Sequence, residues 1–245
     1  MQVFISPYQD AISNAALEEC LFRLRPVQRF LFFYRNEDAV LWGRNQNPYL
    51  ECALEQCQTE GITLLRRISG GGTVFHDCGN LNYALIMERK HWEAGAFLQL
   101  VVQALTDCGL HDIHACPRHS VWQARSKVSG SAFAQSGPAL LWHGCILLHS
   151  DLSRLWRFLT PQFEPGPGFD SPLRSQRSPV ANLAVPTQRL QGAIAERLCV
   201  RLQCRPQWIS HQTLALDEQQ LHSYKEKFAS EQWTYALAKK PLSVS

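Results

Sequence analysis

The segment Arg66-Arg67-Ile68-Ser69-Gly70-Gly71-Gly72-Thr73-Val74-Phe75-His76-Asp77 constrains this chain more than any other. Two guanidinium groups abut a serine and three consecutive glycines, and a β-forming run follows. Glycine has no Cβ, so such a loop lets backbone N–H groups approach an anion closely. The arginines can add bidentate contacts to phosphate or carboxylate. No Gly-Lys-Ser/Thr closes the segment, so it is not a Walker loop, and the G-x-G-x-x-G spacing of a dinucleotide fold is absent. By itself the triplet reads more simply as a glycine-rich hairpin with two solvated arginines. The other segments decide against that.

A chain of 245 residues is long enough for one large α/β domain, or for one domain with a small appendage. With 45% hydrophobic and 18% charged residues it is foldable rather than disordered. A net charge of +3 gives no broad nucleic-acid surface. No apolar run approaches the ~20 residues that span a bilayer, so no membrane association is expected. Met1 to Ser6 lacks a basic region and a cleavage site and reads as a first strand, which leads to the expectation of a cytoplasmic protein. The nine cysteines are scattered without a CxxC pair, which argues against a zinc ribbon and for small buried hydrophobes in a reducing compartment.

Ser13-Asn14 precede an amphipathic helix through Leu24 and read as its N-cap. Phe30 to Tyr34 and Ala39 to Trp42 read as strands, and Tyr49 to Glu60 as a helix opened by Pro48 and closed by Gly61. Ile62 to Arg67 is a strand that delivers the glycine loop, with Thr73 to Phe75 and Leu81 to Met87 as strands beyond it. A helix follows from Trp92 to Cys108, then β runs at Val121 to Ala124, Val128 to Phe133 and Leu140 to Leu148, then a helix from Ser150-Asp151 to Leu159. Pro161 to Pro179 is a long Pro/Gly/Ser/Arg loop of the kind that is usually functional or mobile. Helices are expected again over Gln188 to Leu202 and Leu216 to Phe228, followed by a frayed tail. Strands in adjacent groups with helices between them predict an α+β fold with a mixed or antiparallel sheet rather than a doubly wound one.

A second constellation lies further on. Ser126-Lys127-Val128-Ser129-Gly130-Ser131-Ala132 places one lysine at the head of a strand, with small residues in front of it. Trp142-His143-Gly144-Cys145-Ile146-Leu147-Leu148 is a strand with a histidine and a glycine at its entry. Each has a structural reading on its own. In order and rough spacing these segments together resemble the lipoate–protein ligase A family. The matching stretches also include Asn14 to Glu19, Gly43 to Pro48, Gly79-Asn80, Asp151 to Leu155 and Val180 to Leu183, so the resemblance covers roughly Ile5 to Leu202.

The resemblance implies the biotin/lipoate ligase catalytic-domain fold: α+β, with a mixed, largely antiparallel sheet flanked by helices. It implies a catalytic domain over residues 1–205 and a C-terminal extension over 206–245 that packs on it, without the family's accessory domain. The implied chemistry joins lipoate to ATP, with Mg2+, to give lipoyl-AMP, and then passes the lipoyl group to a lysine of an acceptor. The implied acceptors are lipoyl domains of 2-oxoacid dehydrogenase complexes or the glycine-cleavage H protein. A separate accessory-domain protein is an implied further partner. The resemblance assigns ATP and lipoyl-AMP binding to Arg67, Gly72, Thr73, Val74, Phe75 and Lys127, with Lys127 as the catalytic group. It assigns the acyl pocket to Glu18, Ser69, Gly70, Gly71, His76, Ser131, Ala132, His143 and Gly144. Val74, Phe75, Ala84 and Val128 are expected walls for the lipoyl tail, and Arg44, Arg66 and Arg118 an expected basic surface for an acidic acceptor domain.

The chain departs from the family pattern at Arg118-His119-Ser120, where the family often carries Arg-Asn-Asp with the Asp placed to help hold magnesium. Ala134 replaces a longer polar side chain. These departures favour an alternative, an ATP-independent octanoyl or lipoyl transferase with Cys116 or Cys145 as thioester-forming nucleophile. A third reading is a non-catalytic binder of lipoyl-AMP or of a lipoyl domain.

Overall fold

A computed structural model describes residues 1–24, 28–166 and 173–238. In chain order its first elements are β1 (Gln2–Ile5), α1 (Ala11–Arg23), β2 (Phe30–Tyr34), β3 (Ala39–Trp42), α2 (Leu54–Thr59), β4 (Thr63–Arg66), β5 (Val74–His76) and β6 (Asn80–Glu88). Then come α3 (Ala94–Asp107), β7 (Ile113–Cys116), β8 (Ser120–Gln123), β9 (Ser126–Ser136), β10 (Ala139–Leu147) and α4 (Leu152–Phe158). The last are α5 (Thr187–Arg201), β11 (Gln207–Trp208), α6 (Glu218–Ala229) and α7 (Glu231–Thr234).

The long antiparallel strands β6, β10 and β9 form the middle of an eight-stranded sheet with the order β11-β1-β2-β6-β10-β9-β8-β7. Only β1 runs parallel to its neighbours, β2 and β11, so the sheet is mixed and largely antiparallel, as expected. A second sheet, β4-β3-β5, carries the glycine loop between β4 and β5. Strand alternation divides the core. Leu81, Tyr83, Leu85 and Met87 of β6 face α3 and α5, while Ala84 and Ile86 face α1. Both faces of the sheet are therefore covered, which is why the Phe-Leu-Phe-Phe-Tyr run of β2 is buried throughout. Each large apolar side chain so buried contributes roughly 1.5–3 kcal/mol.

Several elements differ from expectation for local reasons. Helix α1 begins earlier, with Asp10 as its cap: the Asp10 carboxylate accepts the Ser13 N–H at 2.7 Å. Asn14 instead turns inward, accepting from Ser6 Oγ at 2.6 Å and donating to Asn36 Oδ1 at 2.8 Å. The single helix expected over Tyr49 to Glu60 is a 3₁₀ turn at Pro48–Leu50 followed by the short α2. Between them Ala53 leaves helical geometry, and its N–H is held by Phe158 O at 2.9 Å. The edge strands β7 and β11 were not expected. The tail is not frayed up to residue 238: α7 follows α6 directly, capped by Ser230. Trp233 lies against the Arg66 guanidinium at 4.1 Å and the Lys227 ammonium at 3.9 Å. Residues 239–245 of that tail, and 167–172 of the long loop, lie outside the described residues. The segment after residue 205 packs on the rest through β11 against β1 and α6 against α1.

Candidate functional site

The glycine loop is held by its neighbours rather than by its own hydrogen bonds. Arg67 is buried, and its guanidinium donates to Leu41 O at 2.7 Å, Gly70 O at 3.1 Å and Gly72 O at 2.6 Å. Burial pushes its pKa down to about 10, so it stays charged at neutral pH. Gln46 accepts from the Thr73 hydroxyl and the Gly43 N–H and donates to Ser175 Oγ, which in turn accepts the Thr73 N–H at 2.8 Å. The Gly70, Gly71 and Gly72 N–H groups donate to nothing among the described residues. With Gly71 at φ +85°, the turn offers unsatisfied donors to an anion.

The loop also requires glycine beneath it. A Cβ on Gly43 would stand 2.1 Å from Gly71 O and 3.1 Å from Gly70 O. Gly43→Ala is therefore expected to displace the loop at a cost of about 1–3 kcal/mol. The check is the urea midpoint at constant slope; a wild-type midpoint contradicts the contact.

Behind the loop lies a buried polar chain. His143 of β10 places Nδ1 3.0 Å from both carboxylate oxygens of Glu18 and Nε2 2.7 Å from Ser69 Oγ. Tyr34 donates its hydroxyl to Glu18 at 2.9 Å. Helix α1, β2, β10 and the loop are thus tied at one point. Beside them His76 Nδ1 lies 3.0 Å from Asn36 Nδ2. Burial, then the nearby Arg67 charge, push the His76 pKa down to about 3, so it is neutral at pH 7.

Lys127 enters from β9. Its N–H donates to Pro179 O at 2.8 Å and its carbonyl accepts from the Ala181 N–H at 3.2 Å, so the segment around Val180 fixes its backbone. Its ammonium has no hydrogen bond or ion pair among the described residues and lies 3.1 Å from where a Gly130 Cβ would stand. The missing side chain at Gly130 is what lets the lysine fold across the strand. Opposite Gly130 on β10 is Cys145, and opposite Cys145 on β6 is Asn82.

These groups surround a cavity of about 820 Å³. Of the residues singled out from sequence, Glu18, Arg67, Gly70, Gly71, Gly72, Thr73, Val74, His76, Cys116, Lys127, Ser131, Ala132, His143, Gly144 and Cys145 line it. Ser69 lies behind His143 with 1% exposure, and Phe75 borders only an adjoining smaller cavity. Cys145 and Lys127 border both, and Cys116 only the larger. The glycine loop and Lys127 therefore share one space.

Two expectations need correction. Ala84 and Val128 line neither cavity, because Ala84 packs in the core beneath α1 and Val128 points to the opposite face of the sheet. The apolar walls come instead from Ala11 and Ala15 of α1, Leu41, Leu65, Ile68 and Phe228 of α6. Arg66 is not a surface charge: it is 6% exposed, donates to Trp233 O and Arg44 O, and is covered by the Trp233 ring. Within the long Pro161 to Pro179 loop, the sequence singled out no individual residue. There Arg174 pairs with Glu51 at 2.9 Å, Ser175 braces the glycine loop and Arg177 lines both cavities. Among the described residues the larger cavity is lined by Arg67, Arg118, Lys127, Arg174 and Arg177 against one carboxylate, Glu18, so it favours anions.

The family model for the lipoyl protein ligase A/B catalytic domain matches residues 10–194. The chain belongs to that family. Similar solved structures include a bi-partite lipoate protein ligase from Thermoplasma acidophilum, studied with its E2 lipoyl domain. It is 23% identical, with a TM-score of 0.78 over 98% of each chain. LipL1 of P. falciparum in complex with lipoate is 20% identical, with a TM-score of 0.77 over 98% of this chain and 75% of that one. A lipoate-protein ligase A bound with ATP is 22% identical, with a TM-score of 0.76 over 97% of this chain and all of the other. At these identities the likeness establishes a shared fold.

Among its described residues, this member of the lipoyl protein ligase A/B family offers poor ligands for magnesium. Among the described residues, the carboxylates that border the two cavities are Glu18, engaged by His143 and Tyr34, and Glu51, engaged by Arg174 and the Ser175 N–H. No cluster of three His, Cys, Asp or Glu side chains suits a metal among the described residues. Among the described residues the donor set does not fit a magnesium held by the protein itself. No helix among the described residues is long and apolar enough to cross a membrane.

Proposed function

We propose that this chain is a lipoate–protein ligase. A lipoate carboxylate oxygen attacks the α-phosphorus of ATP, lipoyl-AMP forms and pyrophosphate leaves. The amine of an acceptor lysine then attacks the acyl carbon, AMP leaves and the amine loses a proton. Joining two anions requires preorganised positive potential. The observation that carries the reading is Lys127, an ammonium without a protein partner among the described residues, facing the same cavity as the unsatisfied N–H groups of Gly70, Gly71 and Gly72. Arg67 shapes the phosphate turn through its carbonyl contacts. The wall from Ala11 to Phe228 accommodates an apolar tail ending near Lys127. Structures of like fold with lipoate and with ATP support both substrates, and the one studied with its E2 lipoyl domain supports a lipoyl-domain acceptor. The 2-oxoacid dehydrogenase complexes and the glycine-cleavage H protein supply such acceptors. An accessory-domain protein acting in trans is part of the same proposal.

One observation favours a second reading. Cys145 stands beside the Lys127 ammonium on the paired strand, so a thioester formed there would have a cation at its carbonyl. Pyrophosphate release from ATP and lipoate, followed with and without an acceptor lipoyl domain, separates the two. The ligase releases pyrophosphate, and Cys145→Ser keeps its rate within about threefold. A transferase releases none and loses ~10²-fold or more on that substitution. No modification of the acceptor under either regime, with the accessory-domain protein supplied as well, leaves only a non-catalytic binder.

A further inference from the structure

Residues directly opposite each other in an antiparallel sheet present their side chains on the same face. Tyr34 of β2 is opposite Asn82 of β6, Asn82 is opposite Cys145 of β10, and Cys145 is opposite Gly130 of β9. These four positions form a row across the floor of the cavity. Neighbouring strands lie about 5 Å apart, so Asn82 and Gly130 are about 10 Å apart with Cys145 midway. The Lys127 ammonium folds over the Gly130 end of the row.

Asn82 is the unexplained member. It is 0% exposed, and it borders the cavity. Neither its Oδ1 nor its Nδ2 has a hydrogen-bond partner among the described residues. Tyr34, its neighbour on one side, is committed to Glu18. A buried carboxamide with both ends unsatisfied is costly, and such a group calls for a functional account. The fold would be served better by an apolar side chain of the same size. The terminal torsion of asparagine is soft, so the carboxamide can turn Nδ2 toward the cavity that Asn82 borders.

We infer that Asn82 is a substrate-contacting residue whose carboxamide N–H donates to the acyl oxygen, so that the reacting carbonyl sits over Cys145 between Asn82 and Lys127. This rests on the acyl-transfer reading of the site. When the acceptor amine bonds to the acyl carbon, the carbonyl π pair moves onto the oxygen. Asn82 and Lys127 then hold that oxyanion from two sides until the pair returns, the bond to the AMP oxygen breaks and the amine releases its proton. A neutral donor paired with a cation suits an oxygen that is only transiently anionic.

The test uses the full chain, preformed lipoyl-AMP and an acceptor lipoyl domain, with Asn82→Leu and Asn82→Asp compared with wild type. Leucine keeps the volume and removes the desolvated amide; aspartate keeps the shape and removes the N–H donor. Single-turnover transfer is expected to fall by ~10²-fold or more in both, the scale for loss of one oxyanion donor. Lipoyl-AMP affinity is expected to stay within about fivefold, since the contact strengthens mainly in the transition state. The Tm of the Asn82→Leu variant is expected to match or exceed that of wild type, which a structural role for the amide would not allow. Should leucine prevent folding, the same loss of transfer in a folded Asn82→Asp variant still supports the assignment. Transfer within threefold of wild type in either folded variant overturns it and leaves the ligase proposal standing, as does a loss that appears only together with a lowered Tm in both. A wild-type chain that binds lipoyl-AMP but transfers nothing removes the ligase proposal itself, and this assignment with it.

Discussion

Replacing Lys127 by alanine is expected to slow lipoyl transfer by ~10²–10³-fold while leaving stability within about 0.5 kcal/mol of wild type. The two halves of that expectation have different origins. The ammonium meets no hydrogen-bonding or ionic partner among the described residues, so its removal orphans no buried group. The bonds that place residue 127, to Pro179 O and from the Ala181 N–H, belong to the backbone and survive the substitution. What is lost is a positive charge aimed into a cavity that already contains the loop N–H groups. An exposed lysine at a strand end would share the unchanged stability but leave transfer unchanged as well. Single-turnover transfer from lipoyl-AMP and a urea midpoint decide the matter. A rate within threefold of wild type removes Lys127 from the reaction.

The parts of this site that stood out in the sequence are those whose residue types carry information without a partner. Three glycines beside two arginines, a lysine followed by small residues, and a His-Gly pair on a strand are unusual wherever they occur, and the structure brings the glycines, Arg67, the lysine and the His-Gly pair to one cavity. The α+β class was legible because strands came in adjacent groups. Other parts depend on register or on distant chain. Asn82 is an ordinary strand residue until its pairing with Cys145 and Tyr34 sets it in the floor. Ser175 is 102 residues from Thr73 and braces it only because the chain folds back. Ala11, Ala15 and Phe228 are typical core residues whose wall position follows from how α1 and α6 cross. Arg66 looked solvated because nothing local announces that Trp233, far along the chain, will cover it. The misplaced cap of α1 has the same source: Asn14 has the right chemistry for a cap, but a buried network claims its side chain.

Arg67→Met is expected to be the most destabilising single change at the site, at about 3–5 kcal/mol, a large share of the 5–15 kcal/mol that holds a domain of this kind. The guanidinium is the shared donor for Leu41 O, Gly70 O and Gly72 O, which belong to β3 and to both sides of the glycine turn. Removing it leaves three carbonyls without that donor, at about 1–3 kcal/mol for each that stays dry. Two effects reduce the total. Burial already disfavours the charge, as its lowered pKa records, so methionine recovers that penalty. The Gly70 and Gly72 carbonyls border the cavity, where water can reach them once the turn loosens. Glu18 gains nothing from the exchange, since a positive neighbour is lost from its surroundings. Arg67→Lys separates shape from charge: it keeps the cation but cannot span three carbonyls with one rigid fork, so its midpoint is expected between those of wild type and the methionine variant. Both variants are expected to lose transfer as well, because the N–H groups of the turn no longer converge. If urea melts place Arg67→Met within 1 kcal/mol of wild type, the guanidinium is not what shapes the turn, and its role reduces to that of a charge facing the nucleotide.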